Sequence, residues 1–150
     1  MIPPYTILAR YEPLRWRASL ICKELCELTY NLGFRPLPIG KHRMHKALWV
    51  DKENHADVMR TSPTKDISDL DWHQDGMDTG AELNCGIILW TDKMPTEIRY
   101  LNNKTIWTGK PFEVIYFNNK EVMHRRQKET PAKRWLFRQR VINENFSNTG

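Results

Sequence analysis

Two histidines and one aspartate are the residues of this chain whose types and spacing point most directly to chemistry. His73 and Asp75 lie two residues apart in the run His73-Gln74-Asp75, and His124 follows much later in the sequence. Two imidazole nitrogens and a carboxylate oxygen can occupy one face of an iron(II) ion and leave its other coordination positions open. The pattern therefore predicts an iron(II) site formed by His73, Asp75 and His124.

The local sequence favours a β-strand that ends at His73 and Asp75. In a strand, residues i and i+2 project from the same side, so His73 and Asp75 would point together. Leu70 and Trp72 are typical of a strand that enters a core. Antiparallel strands between the two motifs would bring His124 back beside this pair.

An arginine-bearing segment follows the second histidine. Alternation along a predicted strand, Arg134–Val141, places Arg134 and Arg138 on one face. Charged side chains that point into a barrel are costly unless they have a partner. A dicarboxylate gripped by a planar guanidinium would be such a partner, and both arginines remain candidates for this role. The alternation puts Leu136 and Arg140 on the arginine face, and Trp135, Phe137 and Val141 on the other face.

The remaining elements predict a scaffold for these residues. Apolar residues at three- and four-residue steps predict a helix from about Leu14 to Leu32. From Leu70 onward, short alternating runs broken by turn residues predict antiparallel strands, with Asn102-Asn103 as a hairpin turn. The predicted strands are Asp69–His73, Glu82–Thr91, Glu97–Leu101, Lys104–Trp107, Phe112–Phe117, Glu121–His124 and Arg134–Val141. One helix followed by many short strands predicts a mainly β fold with an N-terminal helix, of the jelly-roll type.

Length and composition bound the class of protein. The 150 residues, of which 40% are hydrophobic and 27% charged, are typical of a single soluble globular domain. No apolar run approaches the roughly 18 residues of a membrane span, and the first residues lack the pattern of a signal peptide. A cytoplasmic location without membrane insertion is therefore expected. The net charge of +5 permits attraction to nucleic acid, acidic metabolites or a membrane surface without choosing among them.

The other histidines and the cysteines carry weaker signals. His42 and His45 are spaced to share a helix face, but with no third ligand nearby they are interpreted as surface residues. The three cysteines, Cys22, Cys26 and Cys85, lack the spacing of a disulfide framework. Cys22 and Cys26 lie four residues apart, which would suit metal ligands, but their helical context favours buried thiols.

These motifs together resemble the iron(II)- and 2-oxoglutarate-dependent dioxygenase superfamily. The resemblance rests on His73-x-Asp75, on His124 within Val-Met-His-Arg, and on the arginine strand. The run from Gly86 to Arg99 is also similar to small microbial and phage-type members. The similar stretch, about Asp69 to Val141, implies a double-stranded β-helix core of cupin-like shape. Within the single domain, this core would span residues 69–142, and residues 1–68 would form a helical and loop support.

The resemblance also implies an activity and a set of roles. The two histidines and the aspartate would bind Fe(II), and the co-substrate would be 2-oxoglutarate. Its distal carboxylate would be bound by Arg134 or Arg138, and Asn84 is predicted to hydrogen-bond the co-substrate or the substrate. The reaction with dioxygen would hydroxylate a small polar or anionic substrate and release succinate and carbon dioxide.

Two other functions stay open at this point. A non-catalytic module on the same jelly roll would grip nucleic acid or another anionic partner through the basic stretch Lys120 to Arg140. A cupin-like iron or manganese dioxygenase would work without a 2-oxo acid. In each case substrate or partner contacts are expected from loops, since loops carry most binding residues. The candidate loops are Lys41–His55, Arg60–Asp69 and Gly76–Ala81.

Overall fold

A computed structural model describes residues 1–37, 47–62, 71–75, 84–93, 95–126 and 133–142. Within these ranges the chain is mainly β, with one helix and two antiparallel sheets, which confirms the predicted mainly β class and the N-terminal helix. The elements up to residue 61 are β1 (Thr6–Arg10), α1 (Ala18–Asn31), β2 (Arg35–Pro36), β3 (Ala47–Asp51) and β4 (Ala56–Thr61). The later elements are β5 (Gly86–Thr91), β6 (Thr96–Tyr100), β7 (Trp107–Thr108), β8 (Glu113–Asn118), β9 (Val122–Arg126) and β10 (Arg134–Ile142).

The larger sheet has β10 near its centre. Its described strands run in the order β1-β8-β5-β10-β4-β3, and β2 pairs with one end of β10. Arg138 on β10 lies opposite Leu89 on β5 and opposite Asp57 on β4. Residues that are directly opposite on neighbouring strands share a face of the sheet. Arg138, Leu89 and Asp57 therefore project to the same side.

The smaller sheet carries the second histidine. Its described strands run in the order β7-β6-β9, and Ile98 on β6 lies opposite His124 on β9. On the other edge of β9, His73 forms an isolated antiparallel bridge with His124. Each of these two residues donates its backbone N–H to the carbonyl of the other, at 3.1 and 2.9 Å. The chain segment that contains His73 is thus fixed to the strand that contains His124.

The first core cluster lies between α1 and the larger sheet. Ile21 and Leu25 on α1 are fully buried, as are Val58 and Phe137 on the sheet. Burying one such side chain contributes about 1.5–3 kcal/mol relative to leaving it exposed. The helix therefore covers the face of the larger sheet that is opposite to Arg138.

The second core cluster joins the two sheets. Its buried members come from β5, β8, β6 and β9, and Leu136 on β10 packs against it. These buried residues are Cys85, Ile87, Leu89, Ile98, Ile115, Phe117 and Val122. Leu136 lies in this cluster, whereas Trp135, Phe137 and Val141 belong to the helix-side cluster. The alternation predicted along β10 is thereby confirmed.

The strands of the N-terminal part are not predicted from the sequence. It predicts only helix and loop up to about residue 68, yet β1, β3 and β4 are members of the larger sheet. The predicted loop from Arg60 onward is also corrected, because Arg60 and Thr61 belong to β4. Asp57 is fully buried in that strand. A charged residue is not expected at a buried strand position unless its partner is known, so the sequence around Asp57 does not predict a strand.

The helix is shorter than predicted at its start. It begins at Ala18, and Leu14 is fully exposed, so the apolar stripe overestimates its N-terminal end. At the other end Gly33 follows the helix with φ of 96°, as expected for a glycine that ends a helix. No described helix is long and apolar enough to cross a lipid bilayer.

The predicted strands after residue 84 are present with small shifts of their ends, except that Lys104–Trp107 overlaps β7 at Trp107 alone. Of the predicted strand Asp69–His73, the described residues 71–73 form only the isolated bridge at His73. The turn at Asn102-Asn103 joins β6 to β7, which pair as an antiparallel hairpin, as predicted. Other predictions lie outside the described residues. They are His42 and His45, residues 63–69 of the predicted loop, the Gly76–Ala81 loop and the beginning of the predicted strand at Glu82.

Candidate metal centre

The structure brings His73, Asp75 and His124 together. The Nε2 atom of His124 lies 3.4 Å from Oδ1 of Asp75, and Nε2 of His73 lies 3.7 Å from the same oxygen. One potential ligand atom from each residue lies within 4.8 Å of the other two. The backbone bridge between the histidines sets this arrangement, because it holds their rings with centroids 4.4 Å apart. These three donors form a set that fits an iron(II) ion.

The ring of His73 is oriented by a backbone carbonyl. Its Nδ1 atom lies 2.6 Å from the carbonyl oxygen of Asp71. A carbonyl oxygen only accepts, so Nδ1 carries a proton, and Nε2 is the ring nitrogen that faces Asp75. Metal-binding histidines are commonly oriented by such a hydrogen bond from the other ring nitrogen.

The ring of His124 is held by packing. It is buried, and its centroid lies 5.1 Å from that of Phe117. Its Nδ1 atom has no hydrogen-bond partner among the described residues, whereas its Nε2 faces Asp75. Because Nε2 is the ring nitrogen that faces Asp75, it is the atom of His124 that a metal ion at the triad would bind.

Asn119 holds the backbone on which Asp75 lies. Its side chain is fully buried, its Nδ2 donates to the carbonyl of Asp75 at 2.7 Å, and its Oδ1 accepts from the N–H of Asp75 at 3.2 Å. The amide of Gln74 donates to the carbonyl of Asn119 at 2.9 Å. Sequence reasoning misses Asn119, since nothing distinguishes an asparagine in the turn between β8 and β9 from an ordinary turn residue.

Arg138 links the triad to a second, deeply buried carboxylate. Its Nη1 lies 3.5 Å from Oδ2 of Asp75, and its Nη2 lies 3.3 Å from Oδ2 of Asp57. Sequence reasoning also misses Asp57, because its partner lies far along the chain on β10. Arg138 therefore bridges two carboxylates between the sheets.

The charges around Asp75 keep it ionised. Burial alone would raise the pKa of Asp75, but the neighbouring charges of His124 and Arg138 outweigh it and hold this pKa well below its ordinary value. Burial raises the pKa of Asp57, and Arg138 opposes that rise in part. Of the two carboxylates, Asp75 is the one that lies beside the two histidines and so can share a metal ion with them.

Arg134 occupies a different place on the same face of β10. It is buried, and its Nε donates to Oγ1 of Thr61 on β4 at 3.0 Å. Four strand residues separate it from Arg138, which corresponds to ~13 Å. Asn84 is exposed and lies just before β5, and no contact within the described part of the chain joins it to the triad.

Trp72 anchors the residue next to His73 on the outside of the smaller sheet. The guanidinium groups of Arg99 and Arg125 lie 4.9 and 4.3 Å from the centre of its ring. Arg125 also pairs with Glu97 at 2.9 Å, whereas Arg126 is buried. Stacked cations of this kind stabilise the position of an aromatic side chain, and therefore of the backbone beside it.

Comparison with known proteins does not assign the chain to a family. Neither protein-family models, nor curated proteins, nor solved structures match the chain significantly. The function is therefore inferred from the geometry of the described residues.

Proposed function

We propose that this protein is an iron(II)- and 2-oxoglutarate-dependent oxygenase with a jelly-roll, double-stranded β-helix core. The observation that carries the proposal is the convergence of the Nε2 atoms of His73 and His124 on Oδ1 of Asp75. Such a donor set covers one side of an ion and leaves the rest for co-substrate and dioxygen. Iron(II) bound there would supply oxidative decarboxylation of 2-oxoglutarate, coupled to hydroxylation of a substrate.

The position of the triad between the sheets supports the jelly-roll assignment. His124 belongs to the smaller sheet, whereas Asp75 contacts Arg138 of the larger sheet. Two members of the core cluster shared by both sheets, Phe117 and Ile98, lie beside His124. The side chains of His124 and Asp75 are 7% and 10% exposed, whereas that of His73 is 32% exposed, so the triad is partly shielded from bulk water and open on the His73 side.

Between the two candidate arginines, the contacts favour Arg134 for the distal carboxylate of 2-oxoglutarate. Arg138 already bridges Asp75 and Asp57, so its role is to orient the triad carboxylate and balance its charge. Arg134 is buried on the same face, and its hydrogen bond to Thr61 fixes the plane of its guanidinium. A fixed guanidinium and a neighbouring hydroxyl suit a carboxylate that binds bidentately.

The buried arginines also favour a small polar or anionic substrate. Arg126 lies two residues after His124 and therefore on the same face of β9, and Arg140 lies on the Arg138 face of β10. Both side chains are buried, as is that of Arg134. Guanidinium groups are donors suited to the carboxylate or phosphate group of a substrate that reaches this face.

The proposal is tested by anaerobic titration of the full chain with iron(II) and 2-oxoglutarate. We expect the weak visible charge-transfer band of the iron–2-oxoglutarate chelate, and succinate release once air is admitted. Asp75→Ala and His124→Ala should abolish both signals. His55→Ala is the matched control, because it removes a histidine from the turn between β3 and β4 and should leave the band intact.

The arginines separate co-substrate binding from iron binding in the same titration. Arg134→Ala should raise the 2-oxoglutarate concentration that gives half of the maximal band intensity by about 10- to 100-fold. The reason is that a charge-assisted hydrogen bond is worth about 1.5–3 kcal/mol. Arg138→Ala should instead raise the iron(II) concentration required. A full-strength band in both Asp75→Ala and His124→Ala would refute the ligand assignment.

The alternative function, a non-catalytic jelly-roll module for nucleic acid or another anionic partner, is favoured by one feature. The guanidinium groups of Arg99 and Arg125 both lie over the ring of Trp72 on the outer face of the smaller sheet, although Arg125 also pairs with Glu97. Affinity for an oligonucleotide that falls steeply with salt, together with no chelate band, would support this module.

A further inference from the structure

A second group of metal-ligating side chains lies on the opposite side of the larger sheet. Cys22 and Cys26 on α1 and Asp51 at the end of β3 each offer one ligand atom within 4.8 Å of the other two. Both cysteines are free and buried, as the sequence predicts. They belong to the helix-side core cluster, whereas the triad lies on the other face of the sheet.

We propose that Cys22, Cys26 and Asp51 form a separate site for a soft divalent cation of the zinc type. Thiolates select zinc over magnesium or calcium, which prefer oxygen ligands. Residues i and i+4 of a helix lie on one face, so the two sulfurs can bind the same ion. Two sulfurs bound tetrahedrally to zinc at about 2.3 Å lie about 3.8 Å apart, within the spread of the ligand atoms here.

The carboxylate of Asp51 is held in place by the turn that follows it. Its Oδ1 accepts from the backbone N–H of Asn54 at 3.0 Å, and its Oδ2 accepts from the side-chain amide of Asn54 at 2.7 Å. Each carboxylate oxygen keeps a further lone pair for a cation. Hydrogen bonds of this kind orient ligands in known metal sites and strengthen binding.

A buried amide supports the sulfur of Cys26. Gln139 on β10 is buried, and its Nε2 lies 3.9 Å from Sγ of Cys26. Its Oε1 accepts from the hydroxyl of Thr29 at 2.8 Å, and its Nε2 donates to the carbonyl of Asn54 at 3.0 Å. The same amide therefore connects the helix, the Asp51 turn and the sheet around the proposed ion.

An entry route and a further coordination position are present. An open surface cavity of about 810 Å³ is lined by Cys26, Asp51 and Asn54, together with Glu27 and Tyr30. Water from this cavity would complete a tetrahedral set of two sulfurs and one carboxylate oxygen. The cavity thus gives a cation access to a cluster that is otherwise buried.

The thiols would bind the cation as thiolates. Cysteine binds a metal ion in its deprotonated form, so binding releases the thiol protons. Bound there, the ion would tie α1 to the edge strand β3.

The site is tested with cadmium(II) alone, added to the full chain under reducing conditions. We expect an ultraviolet thiolate-to-cadmium absorption that saturates and is lost when a large excess of zinc(II) displaces the cadmium. Cys22→Ser and Cys26→Ser should each lose at least half of this absorption. Asp51→Asn should raise the cadmium(II) concentration for half-saturation at least tenfold.

Two controls keep the outcome specific. Cys85→Ser removes the buried thiol of the other core cluster and should leave the absorption unchanged. His124→Ala should also leave it unchanged, because the absorption reports sulfur ligands and does not depend on the proposed iron centre.

Absence of the absorption in the native chain would overturn the site, as would an equal loss in Cys85→Ser. If the serine variants fail to fold by far-ultraviolet circular dichroism, Asp51→Asn decides, and a titration identical to that of the native chain rejects the site.

Discussion

At the scale of single residues, the triad depends on how Asp75 is held. Its side chain lies among His73, His124 and Arg138, and its backbone is fixed by the buried side chain of Asn119. The first set of contacts decides the charge of the carboxylate, and the second decides its position. Residues that orient a metal ligand are often nearly as important as the ligand itself.

Asn119→Ala should weaken iron(II) binding at the proposed site by about 10- to 100-fold, because it removes both hydrogen bonds to the Asp75 backbone. Anaerobic calorimetric titration measures the affinity. Asn102→Ala, at the exposed turn between β6 and β7, is the matched control and should bind as the native chain does. Native affinity in a folded Asn119→Ala variant would show that the backbone of Asp75 is held without it.

At the scale of elements, β5 and β8 pair closely within the larger sheet. Gly86 lies beneath the ring of Tyr116, and a Cβ at this position would collide with Cε2 of that ring. Tyr116 is buried, and its ring packs against Phe34 with centroids 5.2 Å apart, so it has little room to move. A glycine at the start of β5 is therefore required by packing.

Gly86→Ala should lower the free energy of unfolding by about 1–3 kcal/mol, the usual cost of overpacking a core. Urea denaturation followed by circular dichroism measures the change. Gly109→Ala is the matched control, since the nearest atom to its new Cβ is 3.8 Å away. The cost of Gly86→Ala should shrink when Tyr116→Ala is already present, and an undiminished cost would show that the ring is not the cause.

At the scale of the whole molecule, buried charges couple stability to pH. Burial favours the protonated form of Asp75, but the charges of His124 and Arg138 prevail and lower its pKa below the ordinary value of about 3.9. The unfolded chain then takes up this proton first. The stability that Asp75 contributes is present above about pH 4 and is lost as the pH falls through the folded pKa.

Asp57 contributes with the opposite sign. Burial raises its pKa, so the stability it contributes is present below its unfolded pKa and is lost as the pH rises through the folded value. In chelator-treated protein, Asp75→Asn should flatten the loss of stability on acidification, and Asp57→Asn should steepen it. Urea midpoints between about pH 3 and 6 measure both slopes. Equal slopes in the native chain and Asp75→Asn would contradict the sign assigned to Asp75.

Much of the architecture is readable from local patterns. The helix stripe around Ile21 and Leu25, the hairpin turn at Asn102-Asn103 and the alternation along β10 all appear in the sequence. Hydrophobic periodicity reports which face of an element is buried, and it needs only the residues of that element. The strand β4 is not predicted, because periodicity within one element does not explain the buried Asp57. That residue is stabilised by Arg138 on β10, which lies far along the sequence.

The sequence by itself determined the types of possible ligands: two histidines and an aspartate at strand-like spacing, two helical cysteines, and arginines on one face of a strand. Only the tertiary structure decided that Arg138 bridges Asp75 and Asp57, that Asn119 holds the triad backbone, and that Asp51 joins the cysteines. The physical reason is that these contacts depend on strand register and on which elements pack together. A hydrophobic pattern and a turn restrict the register of neighbouring strands, but which distant elements pack together is set by contacts that no local pattern contains.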